Sequence, residues 1–225
     1  MIEKTEKQTL ETSLNSALEK SKGIVFAVAA LVVVVIVAVA VFATVKAKSV
    51  EKGISQVDSI AYNLTNEAKD LSEADIVARQ DKALEELAKL SGKSGVVGLR
   101  ANMLAAEIKF SQKKYDDARS AWLKAIGAKN NNYTTSLCYY NAAVCSENLN
   151  DSDNAIAYYK SASEDDDFLL IDHALFSLAR VNEDVKKYDD AKAAYEKLNT
   201  LHSSSSWAQL AKTRLIALKN AGNIQ

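Results

Sequence analysis

The side chains best able to do chemistry are thinly spread along this sequence. His173 and His202 lie far apart, and neither has a Cys or His neighbour at the spacing that a zinc site uses. Cys138 and Cys145 stand seven residues apart in a stretch of helical character. Helical rise alone separates them by about 10.5 Å, beyond the ~7 Å between Cα atoms that a disulfide tolerates, so they read as small core residues. Asp165-Asp166-Asp167 lacks the alternating ligands of a calcium loop and precedes Phe168, which fits a solvated turn and helix cap. Gly92-Lys93-Ser94 has the ending of a phosphate loop, but that motif needs a Gly five positions before Gly92, where this chain has Leu87. Asn63-Leu64-Thr65 and Asn132-Tyr133-Thr134 fit glycosylation acceptors, which matter only in a compartment that glycosylates. With no Ser/His/Asp or Cys/His arrangement either, the expectation is a chain without catalytic residues, metal, cofactor or small-molecule substrate.

The elements that carry these residues are helices. Proline is absent from the 225 residues and Gly occurs seven times, so helix breakers are scarce. One stretch stands apart. Ile24 to Val45, IVFAVAALVVVVIVAVAVFATV, holds no charge, Pro or Gly over 22 residues. As a helix it reaches about 33 Å, enough to cross a hydrocarbon core about 30 Å thick. It also exceeds the roughly 7–15 apolar residues usual in a cleaved signal peptide, and the expectation is a retained transmembrane anchor.

The anchor divides the chain into an N-terminal arm (residues 1–22), a transmembrane helix (23–45) and a domain over 46–225. In the arm, Leu10, Leu14 and Leu18 recur at i+4 and predict a short amphipathic helix. Lys4, Lys7, Lys20 and Lys22 on one flank outnumber Lys46, Lys48 and Lys52 on the other, which favours a cytoplasmic N-terminus. Of 28 basic and 29 acidic residues, four of each lie in the arm, leaving 24 against 25 beyond the anchor. A near-neutral domain of that size can bury a sizeable core and offers nucleic acid no electrostatic footing.

Beyond the anchor, Val50, Ile54, Val57, Ile60, Ala61 and Leu64 continue a helical spacing in which Gly53 is the weakest point. Ser72 followed by Asp75 predicts an N-cap for a helix through Ala83, Leu84, Leu87 and Leu90. Ser91–Gly98 then reads as a turn. From Leu99 onward the sequence repeats itself. KKYDDARSAWLKA from Lys113, NDSDNAIAYYKSA from Asn150 and KKYDDAKAAYEKL from Lys186 start 37 and 36 residues apart. Each places Ala, an aromatic residue and a small or apolar residue on one stripe: Ala118, Trp122, Ala125; Ala155, Tyr159, Ala162; Ala191, Tyr195, Leu198. No single helix can bury such a stripe, so units must stack. Upstream helices carry the small or apolar pairs Ala105-Ala106, Ala142-Ala143 and Leu178-Ala179.

These residues resemble the tetratricopeptide repeat family, whose pattern places a small residue, an aromatic and Ala at fixed offsets in about 34 residues. The resemblance is clear over Leu99–Ser203, and Trp207-x2-Leu210-Ala211 repeats the opening of the pattern as a terminal capping helix. Ala106, Ala143, Ala179 and Ala211 replace the usual Gly, and Asn130, Asp167 and Ser203 stand where the family has Pro. The implied fold is all-α: a single N-terminal transmembrane helix followed by an α-solenoid of tetratricopeptide-type helix pairs.

An anchor followed by such repeats is similar in architecture to the bacterial envelope proteins typified by the ancillary subunit of the Sec translocon. That resemblance implies a protein-binding adaptor in the bacterial inner membrane, its repeats periplasmic, meeting translocon, chaperones or emerging chains. A cytosol-facing receptor or scaffold, like the anchored import receptors of mitochondria, is the alternative, and topology separates the two. In the resembled family the inner helix of each unit lines a groove and its fifth position faces the ligand; here that position is Met103, Tyr140 and Phe176, with Glu107, Glu147 and Arg180 nearby. The stripe fits an extended or helical internal segment of a partner, and packing between helices is the competing reading.

Overall fold

The computed structural model describes residues 2–128 and 132–225, and all side chains within them except those of residues 2–11, 13, 14, 17, 18, 25, 132 and 133. The side chains of the stripe Leu10, Leu14 and Leu18, of Lys4 and Lys7 and of the acceptor Asn132, and the turn residues Lys129, Asn130 and Asn131 as a whole, lie outside what the structure describes. Among the described residues all regular structure is helical: α1 (Ile2–Thr65), α2 (Glu73–Ser91), α3 (Val96–Ser111), α4 (Tyr115–Ala128), α5 (Asn132–Asn148), α6 (Ser152–Ala162), α7 (Ile171–Asp184), α8 (Tyr188–Leu201) and α9 (Ser206–Asn220). A 3-10 turn, Ala68–Asp70, separates α1 from α2. The chain forms two compact units, residues 1–52 and 53–225.

The first unit is helix alone. Its Val and Ile residues are indifferent helix formers, but no Gly or Pro interrupts Ile24–Val45, and a helix satisfies every backbone group within the segment. Thr44 fits by donating its hydroxyl to the carbonyl of Ala40, 2.7 Å away. The run is bare, with Phe26 74 % exposed and Ile36 61 %.

The second unit begins with the end of α1, which buries Gly53, Val57 and Ile60 along one stripe. Gly53 is thus a contact rather than a weak point. A Cβ there would meet the methyl groups of Val97 at 2.8 Å, so the missing side chain lets the two helices approach. Ser72 caps α2 as expected, its hydroxyl accepting from the backbone N–H of Asp75 at 3.2 Å. The expected turn over Ser91–Gly98 is shorter, because α3 already starts at Val96 and Val97 and Gly98 are buried. Gly98 is held there by a close approach: a Cβ would sit 1.7 Å from the carbonyl oxygen of Lys93.

From α3 onward each helix packs on the next, in the pairs α3/α4, α5/α6 and α7/α8, with α9 against α7 and α8. The expected stripes are core: Ala118, Ala125, Ala155, Ala162, Ala191, Tyr195 and Leu198 are fully buried, Tyr159 is 1 % exposed and Trp122 4 %. Ala106, Ala142, Ala143 and Ala179 are fully buried opposite them and leave room for close helix contact. The backbone repeats in the same register. Lys113, Asn150 and Lys186, which join the two helices of successive pairs, all adopt left-handed φ of 59°, 57° and 62°. Each turn closes as a helix C-terminal motif, for instance with Lys113 N–H on the Phe110 carbonyl and Lys114 N–H on that of Lys109, both 2.9 Å.

Candidate functional site

The pairing leaves alternate helices in a shared face, and side chains tie that face together. Asp58 near the end of α1 accepts from Arg100 of α3 at 2.5 Å. Glu147 of α5 pairs with Arg180 of α7, and Glu183 of α7 with Arg214 of α9. At the last two junctions a tyrosine from the intervening helix completes the arrangement. Tyr159 of α6 donates to Glu147 at 2.5 Å, and Tyr195 of α8 donates to Glu183 at 3.1 Å. Each carboxylate therefore latches onto a tyrosine of the helix that follows it and an arginine of the helix after that.

The electrostatics follow from this geometry. Burial, reinforced by the Glu147 carboxylate, raises the Tyr159 hydroxyl far above its ordinary value of 10.0. Burial with Glu183 does the same for Tyr195. Desolvation alone would lower the Arg180 guanidinium, but the hydrogen bond and charge of Glu147 outweigh it and the net shift is upward. Both tyrosines thus stay neutral donors and both arginines stay charged. In the preceding unit Phe110, Trp122 and Val144 hold the positions of Glu147, Tyr159 and Arg180, so that junction is apolar. There Phe110 and Trp122 belong to the same hydrophobic cluster as Leu99, Ala106 and Cys138.

The sequence-derived groove residues divide among four environments. Phe176 is core, 8 % exposed, with its ring centroid 5.0 Å from Trp207 and 5.5 Å from Tyr195. Tyr140 is half-buried, edge-on to Tyr159 at 5.6 Å and tilted to Phe168 at 6.4 Å. Met103 is half-buried against the first repeat cluster. Glu147 and Arg180 close on each other, and Arg180 also donates to Asp184 at 3.3 Å. Glu107 differs: it is exposed, makes no hydrogen bond or ion pair with any described residue, and desolvation alone raises its carboxyl above the ordinary 4.5. His173 and the two cysteines pack within the fold. His173 lies edge-on to Trp207 at 4.2 Å. Cys138 and Cys145 are free and buried, and burial raises their thiols to about 12 and about 11. Among the described residues no group of three or more His, Cys, Asp or Glu side chains is arranged to hold a metal.

The Glu–Tyr–Arg latches are missing from the sequence reading. Their signal is Glu147-x11-Tyr159 recurring as Glu183-x11-Tyr195, 36 residues later. On the other face, α6 and α8 flank a cleft of about 400 Å³ floored by Leu175 and Leu178 of α7. Lysines bridge it, Lys197 donating to the Ser163 carbonyl at 3.2 Å and Lys187 pairing with Asp153 at 3.4 Å.

Fold and face together define an all-α protein of stacked helix pairs, with one apolar N-terminal segment long enough to cross a membrane. Residues 137–164 and 172–201 match the tetratricopeptide repeat family, a fold that generally serves protein–protein interaction without catalysis. A "TPR repeat-containing protein" of Treponema pallidum (strain Nichols) is 30% identical over 139 residues, which cover 62% of this chain and 58% of that relative. The chain thus spans a little over half the length of the curated relative it matches.

Proposed function

We propose that this chain is a membrane-anchored protein-binding adaptor at a bacterial cell envelope, assisting translocation, folding or complex assembly. Ile24–Val45 is its anchor, the N-terminus is cytoplasmic and the repeats of residues 46–225 are periplasmic. The observation that carries the anchor is the window of mean hydropathy 3.5 within Glu19–Thr65, none of it buried. Fully burying one Val, Leu, Ile or Phe side chain is worth about 1.5–3 kcal/mol, so a bare run of this length favours a lipid environment strongly. The repeats support the adaptor reading, and the shared face of α3, α5, α7 and α9 is the surface on which a partner segment would lie.

The test is topology with mass. A reporter that is active only in the periplasm, fused after Gln225, should be active in bacterial cells, and the mature chain should keep residues 1–48. A reporter active only in the cytosol sinks the periplasmic placement and promotes the receptor reading. Loss of about 40 N-terminal residues shows a cleaved leader instead of an anchor.

A further inference from the structure

The charges on the shared inner face are almost all spoken for. Asp58 holds Arg100, Glu147 and Asp184 hold Arg180, and Glu183 holds Arg214. Glu107 breaks this pattern. It occupies on α3 the register position that Val144 takes on α5 and Arg180 on α7, 37 and 36 residues further on. At that position Arg180 finds a carboxylate on the inner helix before it; Glu107 meets no cation among the described residues. Met103, one turn before it on the same face, is half-buried, and so are Tyr140 and Val144 on the next inner helix. The column therefore runs from an unpaired acid through apolar surface to arginines already neutralised.

We propose that this end of the groove takes an internal segment of a partner protein that carries a Lys or Arg followed by an apolar side chain, the cation pairing with Glu107 and the apolar group lying over Met103 and Tyr140. The inference rests on the reading of the shared inner face as a partner groove and adds the partner's chemistry. The neutralised arginines argue against a terminal carboxylate, since both guanidiniums would have to abandon an existing ion pair to receive one. A cation at Glu107 displaces nothing. Partial desolvation raises the Glu107 carboxyl above its ordinary value, while the side chain stays exposed and open to an incoming cation.

The test uses the full chain in detergent micelles and a library of 12-residue peptides, acetylated and amidated so that no terminal charge competes. The expected result is enrichment of peptides with Lys or Arg beside Leu, Met or Phe. Binding of the best of them should weaken about tenfold in Glu107→Gln, the size of one charge-assisted contact. It should fall in 0.5 M salt, and Glu107→Lys should favour Asp or Glu at the same peptide position. Enrichment of apolar peptides with no preference for a cation overturns the inference and leaves the groove reading standing. So does a cation preference that survives Glu107→Gln. If no peptide of any composition is enriched, both the inference and the groove reading fall. Glu107 is exposed, so its replacements should melt with the parent chain.

Discussion

The Glu147 latch gives the most direct test of how the repeats are held in register. Tyr159 is 1 % exposed and its hydroxyl donates to Glu147 at 2.5 Å. A hydrogen bond to a charged group contributes about 1.5–3 kcal/mol net. Glu147 keeps 25% of its side chain in solvent and Arg180 keeps 40%, so screening favours the lower end of that range. Tyr159→Phe removes the hydroxyl but leaves Glu147 its arginine, and should cost about 1 kcal/mol. Glu147→Ala leaves a buried phenol without its acceptor and a guanidinium that retains Asp184, and should cost about 2 kcal/mol. For a domain of this size that is a fall in Tm of roughly 4–8 °C. Because the two residues act through one bond, the double variant should be less destabilised than the sum by about 1 kcal/mol. Denaturant unfolding of the detergent-solubilised chain, followed by tryptophan fluorescence, measures all three. Additive losses within about 0.3 kcal/mol would refute the latch and reduce Glu147 to a surface carboxylate.

Two further outcomes concern the turns between paired helices. Lys113 and Lys186 are exposed yet left-handed at φ 59° and 62°, so Lys113→Gly should raise stability by about 1 kcal/mol, whereas Lys113→Val should lower it; equal melting of both variants would contradict the assigned backbone. Asp151 is held below its ordinary 3.8 by hydrogen bonds from Asn154 and from Arg119. A depressed carboxylate contributes fully above its unfolded pKa and loses that contribution as pH falls through the folded one. The parent chain should therefore lose its advantage over Asp151→Asn as the pH falls below the ordinary carboxylate value of 3.8, and parallel Tm–pH curves for the two would count against the clip.

The sequence was most legible where a single helix shows its own period. Ala118, Trp122 and Ala125 lie within two turns, and their recurrence locates the outer helices and their buried faces without knowledge of any neighbour. The joining turns were harder to see, because left-handed positions are usually marked by Gly and here carry Lys113, Asn150 and Lys186. Gly53 misled in the opposite sense: propensity makes it a weakness, and only the closeness of Val97 makes it a contact. The inner face failed for a related reason. Met103, Tyr140 and Phe176 are equivalent by spacing, but Trp207, some thirty residues past Phe176, covers that ring, while Phe168 and Tyr159 flank Tyr140. Periodicity reports which face a residue shares; what lies over that face belongs to another helix.

The latch also makes the units unequal as building blocks. Residues 150–185 carry Tyr159 and Arg180, which receive a carboxylate from the unit before, and Glu183, which offers one to the unit after. A second copy spliced in after residue 185 would find a matching partner at both of its ends. A copy of residues 113–149 placed after residue 149 would instead set Trp122 and Val144 against Glu147, burying an acid against apolar surface. Of these two units, residues 150–185 alone can be repeated in tandem with the junction chemistry kept at both ends.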